Sequence, residues 1–371
     1  MAVLNEMQSM AVDTARDWVR DRLPVSAFRA MRDSAPTAGF DAAIWREAAG
    51  LGWITTAIAE QDGGAALGYL TLGLVVEQIG RNVGALPLAT AAVAADAIAA
   101  AGGDELKAAW LDRLLAGEAV AAIALNEGAR HAPHEVATRA VATVTGWRIN
   151  GAKAFVAEGG GADLLIISAD TGEGVALFAV DAMAQGVART ARHLTDSRGY
   201  ADISLKDVYV PASARLKAAE GDPALVETLL HRLQSLTAAE LLGLSAGAFE
   251  ITLEYLKTRV QFGQTIGSFQ ALQHRAAELF TRIELARSAV EAALEALDAK
   301  SPDRARLVSL AKASAGETAH LATREMIQLH GGIGMTDEHD AGFYIKRSRV
   351  LETQWGSAAL HREAYAQALG L

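Results

Sequence analysis

Arg259-Val260-Gln261-Phe262-Gly263-Gln264-Thr265-Ile266-Gly267-Ser268-Phe269-Gln270-Ala271-Leu272-Gln273-His274 interrupts two long helical patterns with a short polar segment. It carries a guanidinium, two glycines and four side-chain amides. Such equipment between helices suits a large, flat, charged ligand. It also fits an ordinary helical hairpin in which Arg259 caps the carbonyls of the preceding helix. Upstream, Leu225 to Thr258 holds few breakers and spans about 50 Å at 1.5 Å per residue. Downstream, Phe269 to Ala299 and Pro302 to His330 read as second and third helices, and a fourth begins near His339. Long helices joined by short connections predict a four-helix bundle.

Further towards the N-terminus the texture changes. Ala121-Ile123-Leu125 alternates, and Gly146-Trp147-Arg148-Ile149-Asn150-Gly151 reads as strand and turn. Leu164 to Ser168 and Val175 to Val180 are short apolar runs between glycine-containing turns, and Ala201 to Pro211 closes the section. Before Val120 the helical period returns in Phe40 to Ala49, Tyr69 to Ile79 and Leu88 to Ala101. The expected fold is therefore mainly α with a central β domain. It comprises an N-terminal helical domain (1–119), a small β-barrel-like middle domain (120–218) and a C-terminal helical bundle (219–371).

The balance of 34 Lys and Arg against 44 Asp and Glu, a net charge of −10, offers no broad attraction for nucleic acid or anionic lipid. An anionic ligand needs a local cationic pocket instead. The chain has no cysteine, so disulfides, thiolate metal sites and a cysteine nucleophile are excluded. No basic leader precedes an apolar core at the N-terminus, and no apolar run is both long and free of charge; the expectation is a soluble, cytoplasmic protein without a membrane span. His330 and His339 lack metal-ligand spacing around them, so no metal is expected.

The order of these segments, with the central loop, resembles the acyl-CoA dehydrogenase family over essentially the full length. Arg259 to Ile266 with Phe269-Gln270 resembles the family's Arg-x-x-Phe-Gly loop, and Gln328-Leu329-His330-Gly331-Gly332-Ile333-Gly334 its Gln-x-x-Gly-Gly turn. The resemblance implies FAD as cofactor, held by Arg259, Phe262, Gln270, Gln328, Gly331 and Gly332. The chemistry of these residues agrees. A guanidinium grips phosphate oxygens in a fork that Lys cannot match, amides both donate and accept, and Gly-Gly lets a ligand approach the backbone. In relatives both motifs serve the cofactor of a neighbouring subunit, which implies a tetramer. The family's reaction removes an α-proton from an acyl-CoA thioester with a carboxylate, passes a β-hydride to the flavin, and delivers electrons to an external acceptor.

Counted without gaps from Gly331-Gly332, the family's catalytic Glu-Gly pair falls on Trp355-Gly356. The alternative position on the first bundle helix, counted back from Arg259, falls on Leu233, followed by Gln234 where relatives usually have Arg. Neither carries a carboxylate. The stretches matching the family's flavin-ring contacts, Leu125 to Arg130 and Lys153 to Glu158, have lost their hydroxyl donors. A chain that keeps the parts reaching into a neighbour's site and lacks those of its own resembles the partner subunit of heteromeric (α2β2) acyl-CoA dehydrogenases, known from bacterial degradation of steroid acyl-CoA esters. Two alternatives stand beside it. One is a self-sufficient homotetramer with a displaced base, for which Glu240 and Glu352 are the candidates; the other is a member that binds flavin or acyl-CoA without dehydrogenation.

Overall fold

The computed structural model describes residues 4–217 and 225–371, so the expected boundary between 218 and 219 lies outside the described residues. The first helices are α1 (Glu6–Arg22), α2 (Val25–Ser34), α3 (Ala42–Gly50), α4 (Gly68–Arg81), α5 (Leu88–Ala101) and α6 (Asp104–Leu115). Then come strands β1 (Ala121–Ala124), β2 (Arg139–Ala142), β3 (Gly146–Val156), β4 (Leu164–Asp170), β5 (Val175–Asp181), β6 (Val187–Arg192) and β7 (Tyr200–Pro211). The last part holds α7 (Leu225–Thr258), a hairpin of β8 (Val260–Gln261) and β9 (Gln264–Thr265), α8 (Gln270–Asp298), α9 (Arg304–His330), α10 (Ala341–Thr353) and α11 (Ala358–Ala368). The expected succession of helices, sheet and helices is what forms.

Two compact units emerge from the contacts. The first gathers Met1–Phe28, Tyr69–Gly84 and Gln234–Leu371; the second gathers Arg29–Gly68 and Ala85–Leu233. The N-terminal helices are thus shared out between the bundle and the sheet.

In the first unit α4 crosses α7 through glycine. A Cβ at Gly243 would lie 2.1 Å from the Glu77 carbonyl oxygen, and one at Gly247 2.1 Å from that of Arg81. α7 tolerates no side chain at either position, so the two backbones come into direct contact. Buried ion pairs and hydrogen bonds clamp the surrounding helices: Arg287 spans both oxygens of Glu77 at 2.8 and 2.9 Å, and the Tyr344 hydroxyl donates to the Arg81 carbonyl at 2.6 Å. Asp298, at the end of α8, accepts from the backbone of Tyr69 and Leu70 at 2.6 and 3.0 Å, capping the first turn of α4 from 229 and 228 positions away. Burial raises the Asp298 carboxyl above its usual range, and the two N–H donors oppose this.

In the second unit the strands form one seven-stranded sheet in the order β1-β4-β2-β3-β7-β6, with β5 paired to β4. The long β3–β7 pairing shifts register between Ile149 and Gly151 and again between Lys153 and Val156. Bulges of this kind bend a strand and re-aim its side chains. Ile149, Leu165, Ile167, Phe178, Ile203 and Leu205 form the core of this sheet, each at most 2% exposed.

α7 is, among the described residues, the one helix long and apolar enough to cross a membrane, and 72% of its apolar window is buried within the protein. Its hydropathy reflects a helix enclosed by its neighbours, contributing residues to Leu233 to one unit and from Gln234 to the other.

Candidate functional site

The segment after α7 is a β-hairpin, where sequence pattern predicts only a polar connection. Val260 pairs with Thr265 and Gln261 with Gln264, while the Ile266 N–H closes on the Arg259 carbonyl at 2.8 Å. Phe262 and Gly263 form its tip at φ +55° and +79°. Two successive residues in the left-handed region match the right-handed twist of a tight hairpin, at a cost of roughly 1 kcal/mol or more for the non-glycine residue. That strain presents the Phe262 ring to solvent, 90% exposed, with Phe269 edge-on at 6.1 Å.

Arg259 stands at the root of this hairpin and is exposed. Other bundle arginines are paired, Arg275 with Glu325 at 2.6 Å and Arg347 with Glu240 at 2.8 Å. Among the described residues the Arg259 guanidinium has no such partner, nor do the exposed side-chain amides of Gln270 and Gln328. Gln270 opens α8, whose first turn has no side-chain cap, so free N–H groups and the positive helix end lie beside its amide.

At the far end of α9, Gly331 adopts φ +65°, ψ −141°, a conformation essentially restricted to glycine. A Cβ at Gly331 or Gly332 would meet nothing within 4 Å. Packing within this chain therefore gives no reason for Gly332; open approach to its backbone does. A forked cation, two free amides, an exposed aromatic ring and bare backbone form a donor set that fits a phosphate-bearing aromatic dinucleotide. The Tyr255 and His330 rings, at the roots of the two motifs, lie 4.3 Å apart between centroids.

The Trp355-Gly356 corner is tightly held although it offers no proton acceptor. Trp355 sits at φ +59° and Gly356 at +108°, and the indole is 6% exposed. The Trp355 carbonyl accepts from Gln234 Nε2 at 3.1 Å and His361 Nε2 at 3.0 Å. Lys312, fully buried, donates to the carbonyls of Leu351, Glu352 and Gly356 at 3.0, 3.3 and 3.0 Å, satisfying the open end of α10. Burial pulls its ammonium down to about 7, with the Glu352 charge opposing. The motifs do not single out Lys312, although its place on the buried stripe Val308, Ala311, Lys312, Ala315, Ala319 is visible at helical spacing.

Leu233 is buried and apolar. Glu240 commits both carboxylate oxygens to Arg347, at 2.8 and 3.0 Å. Glu352 accepts from Ser348 Oγ at 2.6 Å and from Arg349 at 3.1 Å, with His320 Nδ1 at 3.1 Å. It borders a pocket of about 370 Å³ that Glu317, His320, Thr353 and Ser357 also line.

In the sheet unit, the stretches matching the flavin-ring contacts are occupied from within. Asn126 Oδ1 accepts from the Ala132 N–H at 3.1 Å. Glu127 accepts from Ala137 N, Thr138 N and Lys153 Nζ at 2.8, 3.0 and 2.7 Å. Burial pushes the Glu127 carboxyl up, but the Lys153 and Thr138 donors outweigh it and hold it below its usual range. Lys153, itself drawn down by burial and supported by Glu127, also reaches Ser168 Oγ at 2.9 Å. Phe155 sits at φ +52°; its N–H is taken by Asp202 at 3.0 Å, and the Arg192 guanidinium lies 4.6 Å from its ring centre. Ala157 has no hydroxyl to offer. The polar groups of these stretches are thus paired within the chain.

The family description "Acyl-CoA dehydrogenase, N-terminal domain" matches residues 5–118, and "Acyl-CoA dehydrogenase, C-terminal domain" matches residues 223–370. The chain belongs to the acyl-CoA dehydrogenase family. Acyl-CoA dehydrogenase IpdE2 of Mycobacterium tuberculosis is 30% identical over 92% of this chain and 91% of its own. Among solved structures, a variant of the Tcur3481-Tcur3483 steroid acyl-CoA dehydrogenase superposes with TM-score 0.90 at 30% identity over 98% of both chains. The ChsE4-ChsE5 complex from Mycobacterium tuberculosis superposes with TM-score 0.91 at 26% identity, covering 100% of this chain and 99% of that one. PigA, solved with FAD and proline, superposes with TM-score 0.91 at 25% identity over 100% of both chains.

Proposed function

We propose that this chain is the non-base-bearing, β-type subunit of an α2β2 FAD-dependent acyl-CoA dehydrogenase, which desaturates an acyl-CoA thioester at the α,β position. The observation that carries it is the Trp355-Gly356 corner: a left-handed backbone, its Trp355 carbonyl taking two donors, holds a buried indole at the position that the ungapped count from Gly331-Gly332 assigns to the family's carboxylate. The chain's other carboxylate near that helix, Glu240, is tied to Arg347. What remains on offer lies at the surface, where Arg259, Phe262, Gln270, Gln328, Gly331 and Gly332 are all exposed.

FAD, when bound, supplies the hydride acceptor. The residues of this chain bind and orient it. Arg259 neutralises phosphate charge, Gln270 and Gln328 fix polar groups of the cofactor, and Gly331-Gly332 admits it against the backbone. Proton abstraction falls to a carboxylate of the homologous partner chain, and electrons leave to an external acceptor. A steroid-derived acyl group is the substrate class to try first, given the likeness to the Tcur3481-Tcur3483 enzyme.

The test is expression of the chain alone and together with a homologous base-bearing chain encoded beside it. The expected result is colourless, inactive protein alone and a yellow, active heterotetramer on co-expression. A yellow homotetramer that bleaches with acyl-CoA overturns the proposal. A second reading, the self-sufficient homotetramer, has one observation in its favour: Glu352 borders an open pocket. Loss of the lone chain's turnover in Glu352→Gln would establish it.

A further inference from the structure

His330 fills the second variable position of the Gln328–Gly332 turn, and its buried ring is not among the exposed groups of either motif. It ends α9 immediately before Gly331, is 4% exposed, and its ring lies 4.3 Å from Tyr255 and 4.3 Å from His339, tilted by 30° and 48°. Each of the three rings is anchored in a different segment. The Tyr255 carbonyl, in the last turn of α7, accepts the N–H of Arg259 at 2.9 Å. His330 Nδ1 donates to the Met326 carbonyl at 2.7 Å, which fixes both tautomer and ring plane. His339 Nδ1 accepts the N–H of Ala341 at 3.1 Å, at the start of α10.

We infer that the Tyr255–His330–His339 ring stack positions the Arg259 hairpin and the Gly331-Gly332 turn at one fixed separation, so that both meet a single dinucleotide; this rests on the reading of those motifs as FAD-binding. The geometry requires some such brace. Arg259 and Gly331 follow the ends of two different helices, and both are exposed. A misplacement of about 1 Å between two groups that grip one rigid ligand loses much of the gain from binding both. Aromatic stacking resists both sliding and splaying, and it links the residue bonded to Arg259 directly to the residue preceding Gly331. Burial lowers the proton affinity of both imidazoles, helped at His330 by the neighbouring His339 ring and opposed by Met326, and opposed at His339 by Asp340.

The experiment uses the FAD-loaded assembly purified with this chain in it and measures the dissociation constant for FAD by fluorescence of the released cofactor, with melting temperature as control. His339→Ala removes a half-buried ring and is expected to raise the FAD dissociation constant about 3- to 10-fold, the scale of one aromatic pair, with little change in melting temperature. His339→Phe, which restores a ring but not its hydrogen bond, is expected to return within about twofold of the parent value. Tyr255→Leu breaks the stack from the other side and is expected to match His339→Ala. Arg259→Ala is the reference and should loosen FAD more than any of these, about 10- to 100-fold for a charged hydrogen-bonding group. If Arg259→Ala loosens FAD and His339→Ala does not, or if His339→Phe is as impaired as His339→Ala, the positioning role is refuted while the binding role of the motifs stands. If Arg259→Ala leaves the constant unchanged, the FAD reading itself fails and this inference falls with it.

Discussion

The surface at the ends of α7 and α9 and the stretches Asn126–Glu127 and Phe155–Ala157 differ in how their polar atoms are satisfied. At the first, a guanidinium and two amides stand exposed without partners among the described residues. At the second, Glu127 takes three donors, Lys153 is fully enclosed, and the Phe155 N–H is given to Asp202. Exposed polar groups remain solvated and cost little. Groups taken out of water must find internal partners, because an unpaired buried polar atom costs about 1–3 kcal/mol.

That contrast fails if damage to the sheet region affects the cofactor first, or if damage to the surface motifs affects stability first. The largest effect is expected from Lys153→Met, which leaves Glu127 without its cation: roughly 3–5 kcal/mol of unfolding free energy, read by urea denaturation, with FAD affinity of the surviving assembly unchanged. A selective loss of FAD with normal stability would place Lys153 in the binding machinery.

Lys312→Met comes next. It strips the donor from three buried carbonyls and is expected to cost about 3 kcal/mol, softened by removal of a buried charge. The pH dependence sharpens the point. Lys312 holds its proton only up to about 7 in the folded chain, against an ordinary lysine value of 10.5. Between these values the unfolded chain binds the proton and the folded chain does not, so the unfolded state is progressively relieved of that advantage and stability rises with pH across the window. The slope should vanish in Lys312→Met, as measured by denaturation at about pH 7, 8.5 and 10.

The smallest and most discriminating case is Gly332→Ala. The new methyl meets open space, so stability should move by less than about 0.5 kcal/mol. FAD should nonetheless bind more weakly if the cofactor lies against that backbone. Unchanged affinity would remove Gly332 from the cradle.

The succession of helices, sheet and bundle is legible because hydrophobic period changes sharply at Val120 and again after Pro211. The two surface motifs are legible because guanidinium, amides and glycines cluster where a connection needs few of them. The hairpin after Arg259 is not, since Gln261-Phe262-Gly263-Gln264 lacks the Asn-Gly or Asp-Gly pair that marks such turns, and Phe262 takes φ +55° against its own preference. Glu240 and Glu352 can be weighed as bases from sequence only by their neighbours along the helix; Arg347 and His320, which occupy them, come from elsewhere in the chain. The apportioning of the N-terminal helices between the two units follows from long-range contacts such as Asp298 with Tyr69, to which local pattern is blind.

The glycine crossing of α4 and α7 has a mechanical consequence. With Gly243 and Gly247 flush against the carbonyls of Glu77 and Arg81, a slip of either helix by one residue would drive a side chain such as Leu242 or Leu244 into main-chain oxygen. The pair has no clearance for shear, so α4 and the stretch of α7 that it crosses move only as one body.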